Sequence, residues 1–173
     1  MISSSLFSPP YISSLNHYIP VGLFPSKKSD LNLNINRSSV LLSFGKGHSF
    51  SISKIDEILN FFIRTIPNSI TIFIEPTLYN LNLPKNFIPA DYSHSMYSSL
   101  CAAFIRPGIG TLTELIANHV FAYCFYEDNN VEMSHNAKII EQNYLGLDSF
   151  HVEVALEHFL SPSRIFNYSF LQE

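Results

Sequence analysis

Apolar residues follow two alternating rhythms along most of this chain. Val40-Leu41-Leu42-Ser43-Phe44 is a short apolar run, the pattern of a strand buried on both faces, and Ile70 to Ile74 is a β-branched strand. Between them Ile55, Ile58, Leu59, Phe62 and Ile63 recur at three- and four-residue spacing, which lines up five apolar side chains on one helical face that Pro67 closes. Glu75-Pro76 stops the second strand, and a turn-rich segment with Pro76, Pro84 and Pro89 leads to a short helix over Ser93 to Leu100. Ala102 to Ile105 is the next strand, Thr111 to Asn118 a helix, and Val120 to Tyr126 a strand rich in β formers. Glu132 to Leu145 predicts a helix with Met133, Ala137, Ile140 and Tyr144 on one face and Gly146 as its C-terminal cap. His151 to Leu160 predicts a last helix, stopped by Pro162.

Residues 1–39 carry no such rhythm. Tyr18 to Phe24 suits one short strand, and Ser26 to Ser39 is a polar stretch rich in Ser and Asn. The chain therefore divides into a linker-like segment, 1–39, and a domain, 40–173. Strands that alternate with helices imply parallel pairing, because parallel neighbours need a long crossover that also covers the sheet. The expected fold is α/β, a doubly wound, mostly parallel sheet with helices on both faces. In such folds ligands bind beyond the carboxyl ends of the strands, where the strand order reverses.

Two glycine loops fall at such ends. Gly45-Lys46-Gly47 follows the first strand, but a dinucleotide fingerprint needs a small residue where Phe50 stands, and a P-loop needs Ser or Thr where Gly47 stands. The loop is either a tight turn or a phosphate contact. The second, Arg106-Pro107-Gly108-Ile109-Gly110-Thr111-Leu112-Thr113-Glu114, runs from a strand through two glycines into a helix. There, free backbone N–H groups and the helix dipole favour an anion. Thr111 to Glu114 also fits a capping box, in which Glu114 reaches back to the backbone and touches no ligand. Arg106 points to solvent, pairs with an acid or touches phosphate.

This second loop, followed by a strand and then by Glu132-Met133-Ser134-His135-Asn136-Ala137, resembles the C-terminal, donor-binding half of two-domain GT-B glycosyltransferases that use nucleotide sugars. The resemblance is to the branch holding the bacterial N-acetylglucosaminyltransferase that makes lipid II and the UDP-glycosyltransferases. It covers about Val40 to Leu147, while Leu15 to Pro25 is similar to the linker between the two halves. It implies a Rossmann-like domain in which the Gly108, Gly110 and Thr111 loop lies against the donor diphosphate and Glu114 accepts from both ribose hydroxyls. Gly45 and Lys46 match the first loop, near the phosphates or the acceptor. Glu132 and Asn136 match the motif that holds the sugar, where Met133 departs from the usual Gln and loses a hydrogen-bonding group.

Acceptor pocket and general base come from the N-terminal half in most inverting members, and residues 1–39 are too few for such a domain. The resemblance thus implies a unit that binds a nucleotide sugar, with a UDP-sugar as the expected donor, and that is completed by an N-terminal half or a partner subunit, as in split transferases, or works as a homo-oligomer. A non-catalytic nucleotide-binding or interaction module that keeps the fold is the alternative. Catalytic residues are not legible. His135 reads as a surface histidine before a general base, His94 is placed to close the site from a neighbouring loop, His48 lies near the first glycine loop, and Met133, Ala137 and Ile140 read as core.

Composition narrows the classes. With 46% hydrophobic and 14% charged residues in 173, the chain is long and apolar enough for one sizeable core. A formal charge of -4 and no Lys/Arg run argue against nucleic acid as a partner. Cys101 and Cys124 sit in apolar segments and read as reduced core residues, with no metal-ligand spacing and no cofactor motif. The Ser- and Pro-containing start lacks a signal peptide's charged and apolar regions, and no run approaches the roughly 20 apolar residues of a membrane helix. A soluble, cytoplasmic protein is the expectation.

Overall fold

A computed structural model describes residues 2–4, 6–7, 19–21, 37–45, 52–80, 82–149 and 152–160. Strands β1 (Ile2–Ser4) and β2 (Ile19–Val21) pair in parallel as a small sheet of their own. The main sheet holds β3 (Ser39–Ser43), β4 (Thr71–Ile74), β5 (Phe87–Pro89), β6 (Leu100–Ile105), β7 (Phe121–Cys124) and β8 (Gly146–Asp148). Its order is β5-β4-β3-β6-β7-β8 and every pair is parallel, as the strand and helix rhythms require. The helices are α1 (Ile52–Thr65), α2 (His94–Ser99), α3 (Ile109–Ala117), α4 (Val131–Gln142) and α5 (Val152–Leu160). Chain order reverses between β3 and β6, so the switch point lies beyond Ser43 and Ile105.

Alternation along the strands builds two cores. Val40, Leu42, Phe104 and Tyr123 face α1 and α5, where Ile58, Phe62, Leu156 and Phe159 meet them. Leu41, Ala103, Ile105 and Ala122 face the opposite way, toward Met96 and Tyr97 of α2, Leu112, Leu115 and Ile116 of α3, and Ala137 and Ile140 of α4. The first face is aromatic and Phe104 is its hub: its ring stacks on Tyr123 at 4.5 Å and meets Phe62 edge-on at 5.0 Å and Phe159 at 5.5 Å. The second face sets the small side chains of Ala103 and Ala122 beside Leu41 and Ile105, and α4 approaches the sheet closely where Ile140 meets Gly146.

Several expectations change. Strands β5 and β8 are additions at the two sheet edges, and Pro89 is tolerated in β5 because an edge strand leaves one side unpaired. Helix α4 ends at Gln142, so Gly146 is no cap. Its lack of a side chain is a packing demand, since a Cβ there would overlap the Ala122 carbonyl oxygen and Ile140 Cγ2. The left-handed cap position is Tyr144, φ 57°, whose N–H donates to Glu141 O at 3.0 Å while Leu145 N–H donates to Ile140 O at 3.0 Å. Tyr144 is consequently 64% exposed and does not share the buried face of Met133, Ala137 and Ile140. Ile63, expected on the buried stripe of α1, is 42% exposed. Among the described residues no helix is long and apolar enough to cross a membrane.

Candidate functional site

The ends of β3 and β6 are joined side by side, with Arg106 N–H donating to Ser43 O at 2.9 Å. Two loops therefore face each other across the switch point. Gly45 takes φ 77°, a conformation that demands glycine, and a methyl group on it would stand 3.6 Å from Arg106 Cδ and 4.0 Å from Arg106 Nη1. Lys46, Gly47 and His48 lie outside the described residues.

Helix α3 starts earlier than its sequence pattern suggests. Gly108 is the N-cap, with φ −71° and ψ 138°, and the first bond inside the helix runs from Leu112 N–H to Gly108 O at 3.0 Å. Thr111 therefore sits within the first turn and is not the cap, so the capping box does not form. Glycine has no side chain to cap with, and the first turn holds no acid. The N–H groups of Ile109, Gly110 and Thr111 precede the first intrahelical bond, so helix geometry leaves these donors pointing out of the end. Neither Gly108 nor Gly110 has a positive φ, and a Cβ on either would meet nothing within 4 Å. Of the four described glycines whose surroundings are defined, Gly45 is required by conformation and Gly146 by packing, while these two are required by neither.

Glu114 is half-buried on α3, and its charge reaches Tyr97 of α2. Burial, then Glu114 and then Tyr92 push the Tyr97 phenol up to about 12, so it stays protonated at neutral pH. Asn136 is buried and its Nδ2 donates to Pro107 O at 3.0 Å, so it holds the loop from inside the protein. Glu132 is exposed in the first turn of α4, where a negative charge complements the helix dipole. Met133 is core, as its place beside Ala137 and Ile140 suggests.

The structure adds residues that the pattern did not single out. Glu75, just past β4, is buried; its Oε2 accepts from Phe44 N–H at 3.0 Å and Gly45 N–H at 2.8 Å, and its Oε1 from Thr77 Oγ1 at 3.1 Å. The amide of Gly45 is thus already occupied by an internal carboxylate. Tyr92, after β5, adopts φ 54°, sets its hydroxyl 3.1 Å from Ser43 Oγ and leaves its ring 38% exposed beside the switch point. Burial chiefly raises its phenol pKa, the Ser43 hydrogen bond opposes that, and Glu75 adds to it. Arg106 Nε donates to Glu127 Oε1 at 3.0 Å and Oε2 at 3.3 Å. Glu127 also lines an open groove of about 490 Å³ with Asn129, Asn130 and Val131. The available signal for both acids was position: each directly follows or closely trails a buried strand at its carboxyl end.

The site thus offers one unfilled row of amide donors at α3, one arginine beside it and half-buried carboxylates around it, a set suited to a phosphate-bearing ligand with hydroxyl groups. Among the described residues no group of three or more His, Cys, Asp or Glu is placed to hold a metal ion.

No protein-family model matches the chain, and no curated protein matches it in sequence. Its fold does match solved structures. The spinosyn forosaminyltransferase SpnP superposes with TM-score 0.58 at 15% identity, covering 83% of this chain and 41% of that one. The calicheamicin glycosyltransferase CalG4 gives 0.55 at 16% identity over 82% and 36%, and the glycosyltransferase SnogD from Streptomyces nogalater 0.53 at 15% over 82% and 42%. The chain spans less than half the length of each of these proteins. Its six-stranded parallel sheet is the fold of one part of these glycosyltransferases.

Proposed function

We propose that residues 40–173 are the donor-binding half of a glycosyltransferase that uses a nucleotide sugar, with UDP as the nucleotide and residues 1–39 as the link to the rest of the enzyme. In this reading the amides of Ile109, Gly110 and Thr111 receive the diphosphate, the Thr111 hydroxyl adds a donor, and Glu114 accepts from the ribose hydroxyls. Arg106 supplies positive charge, and Glu132 and the α4 end of the groove face the sugar. Asn136 contributes by fixing the Pro107 carbonyl and hence the loop. Transfer requires an acceptor-binding half, carried by a longer chain, by a partner subunit or by a second copy.

One observation carries this reading: Gly108 and Gly110 are glycines that neither the backbone nor the internal packing requires, at the open end of a helix on the switch point. A ligand whose phosphates approach the backbone closely supplies the missing reason. Isothermal titration with UDP tests it. Micromolar to millimolar binding is expected, and Glu114→Ala should weaken it with little change in melting temperature, since no capping box depends on that side chain. Absence of binding to UDP, dTDP, GDP and ADP would overturn the proposal.

A second reading, a nucleotide-binding module without transferase activity, is favoured by Glu75, which fills the Gly45 amide, and by Met133, which is spent on the core. It predicts UDP binding with no sugar transfer when a candidate acceptor-binding partner is added.

A further inference from the structure

Glu127 poses an electrostatic problem for an anion site. It places a carboxylate against Arg106, which stands two residues before the α3 N-cap, with the two side chains 23% and 14% exposed. A negative charge there repels a diphosphate, and by charge alone its removal should tighten binding. The contacts give Glu127 a different role. It takes only Nε of Arg106, at 3.0 and 3.3 Å. Among the described residues no hydrogen bond runs from Nη1 or Nη2, so the outer edge, with one N–H from each, remains available, with Nη1 on the Gly45 side of the crevice. Glu127 is itself held: Asn130 Nδ2 donates to its Oε2 at 3.3 Å, and Asn130 N–H donates to its backbone oxygen at 2.9 Å. Asn130 in turn caps α4, its Oδ1 accepting from Met133 N–H at 3.1 Å. Arg106 is therefore anchored through Glu127 to a helix end.

We infer that Glu127 is a positioning residue: by taking Nε it turns the paired Nη groups of Arg106 into the crevice between the β3 and β6 ends, ready to contact the diphosphate edge-on. The inference rests on the donor-site reading above. An arginine free to swing loses rotamer freedom when it binds, and prior anchoring spares that loss, worth about a two- to tenfold gain in affinity. A bidentate guanidinium contact with phosphate needs this fixed plane more than it needs the charge.

The test is a double-mutant cycle on UDP affinity, read by ligand-detected NMR so that millimolar binding stays measurable, with melting temperatures for every variant. Glu127→Gln in the wild-type background should weaken binding about two- to tenfold, against the direction that charge predicts. In the Arg106→Ala background the same Glu127→Gln change should tighten binding, because only the repulsion is left to remove. Tightening in both backgrounds would show Glu127 to be a mere nearby charge, and weakening in both would show a general effect on loop structure; either overturns the inference. Failure of the unaltered chain to bind UDP, dTDP, GDP or ADP at all would instead overturn the donor-site reading itself, and the inference with it.

Discussion

Gly108→Asp separates what the fold wants at the head of α3 from what a ligand wants. Gly108 already has the extended backbone of an N-cap, and a side chain there meets nothing within 4 Å. Aspartate is among the best N-caps, better than glycine by a few tenths of a kcal/mol, and its charge at a helix N-terminus adds about 0.3–1 kcal/mol. The fold should thus gain about 0.5–1.5 kcal/mol, or roughly 1–6 °C in melting temperature for a chain of this size. The same carboxylate would stand about 5 Å from a phosphate resting on the amides. That repulsion is about 0.8 kcal/mol at the dielectric of water and about 3.3 kcal/mol at an effective dielectric of ~20. UDP affinity should fall by roughly fourfold to 250-fold while stability rises, measured by titration calorimetry and thermal unfolding on the same preparation. Unchanged affinity in the stabilised variant would refute the placement of the diphosphate. A lower melting temperature would refute the claim that the fold has no need of glycine here.

Phe104→Ala should cost about 3–5 kcal/mol in denaturant unfolding, because the ring is fully buried among Tyr123, Phe62 and Phe159; a loss under about 1.5 kcal/mol would contradict its role as hub. Tyr144→Gly should stabilise by about 0.5–1 kcal/mol, since it relieves a left-handed backbone at an exposed position, and a lower melting temperature would refute the cap assignment. Burial, and then the charge of Arg37, hold the imidazole of His119 below its ordinary 6.5. The unfolded chain therefore binds that proton more readily, and the stability involved is present above pH 6.5 and drains away as pH falls through the depressed value. The pH dependence of unfolding below 6.5 should be shallower in His119→Gln than in the unaltered chain, and identical slopes would show that His119 does not contribute.

Three of the strands legible from sequence, β3, β6 and β7, are buried on both faces, where a continuous apolar run is the composition the environment favours; β4 alternates between buried and half-buried positions and was legible from its β-branched residues. β5 and β8 escaped because each has three residues, lies at a sheet edge and begins or ends with a residue, Gly146 or Pro89, that elsewhere signals a break. Gly146 also drew the cap assignment away from Tyr144, since left-handed geometry leaves no mark on a tyrosine. At the site, the glycine loop was visible because its logic is local, a strand, two glycines and a helix. The contacts of Glu75 with Phe44 and of Glu127 with Arg106 were not, as they join residues 31 and 21 positions apart that only the parallel sheet brings together.

The two faces of the sheet differ in the size of the side chains on which their helices rest. On the aromatic side, α1 and α5 rest on the broad rings of Phe104 and Tyr123. On the other side, α3 and α4 are seated on Ala103 and Ala122, and Gly146 admits Ile140 where no side chain would fit. Enlarging Ala103 or Ala122 by even a few methylene groups would act as a wedge beneath the helices that carry the amide row and the Asn130 cap. It would tilt both at once, because Asn136 fastens α4 to the Pro107 carbonyl. If α3 receives the diphosphate as proposed, UDP affinity should therefore respond to changes at the floor of the sheet, in residues far from the amide row.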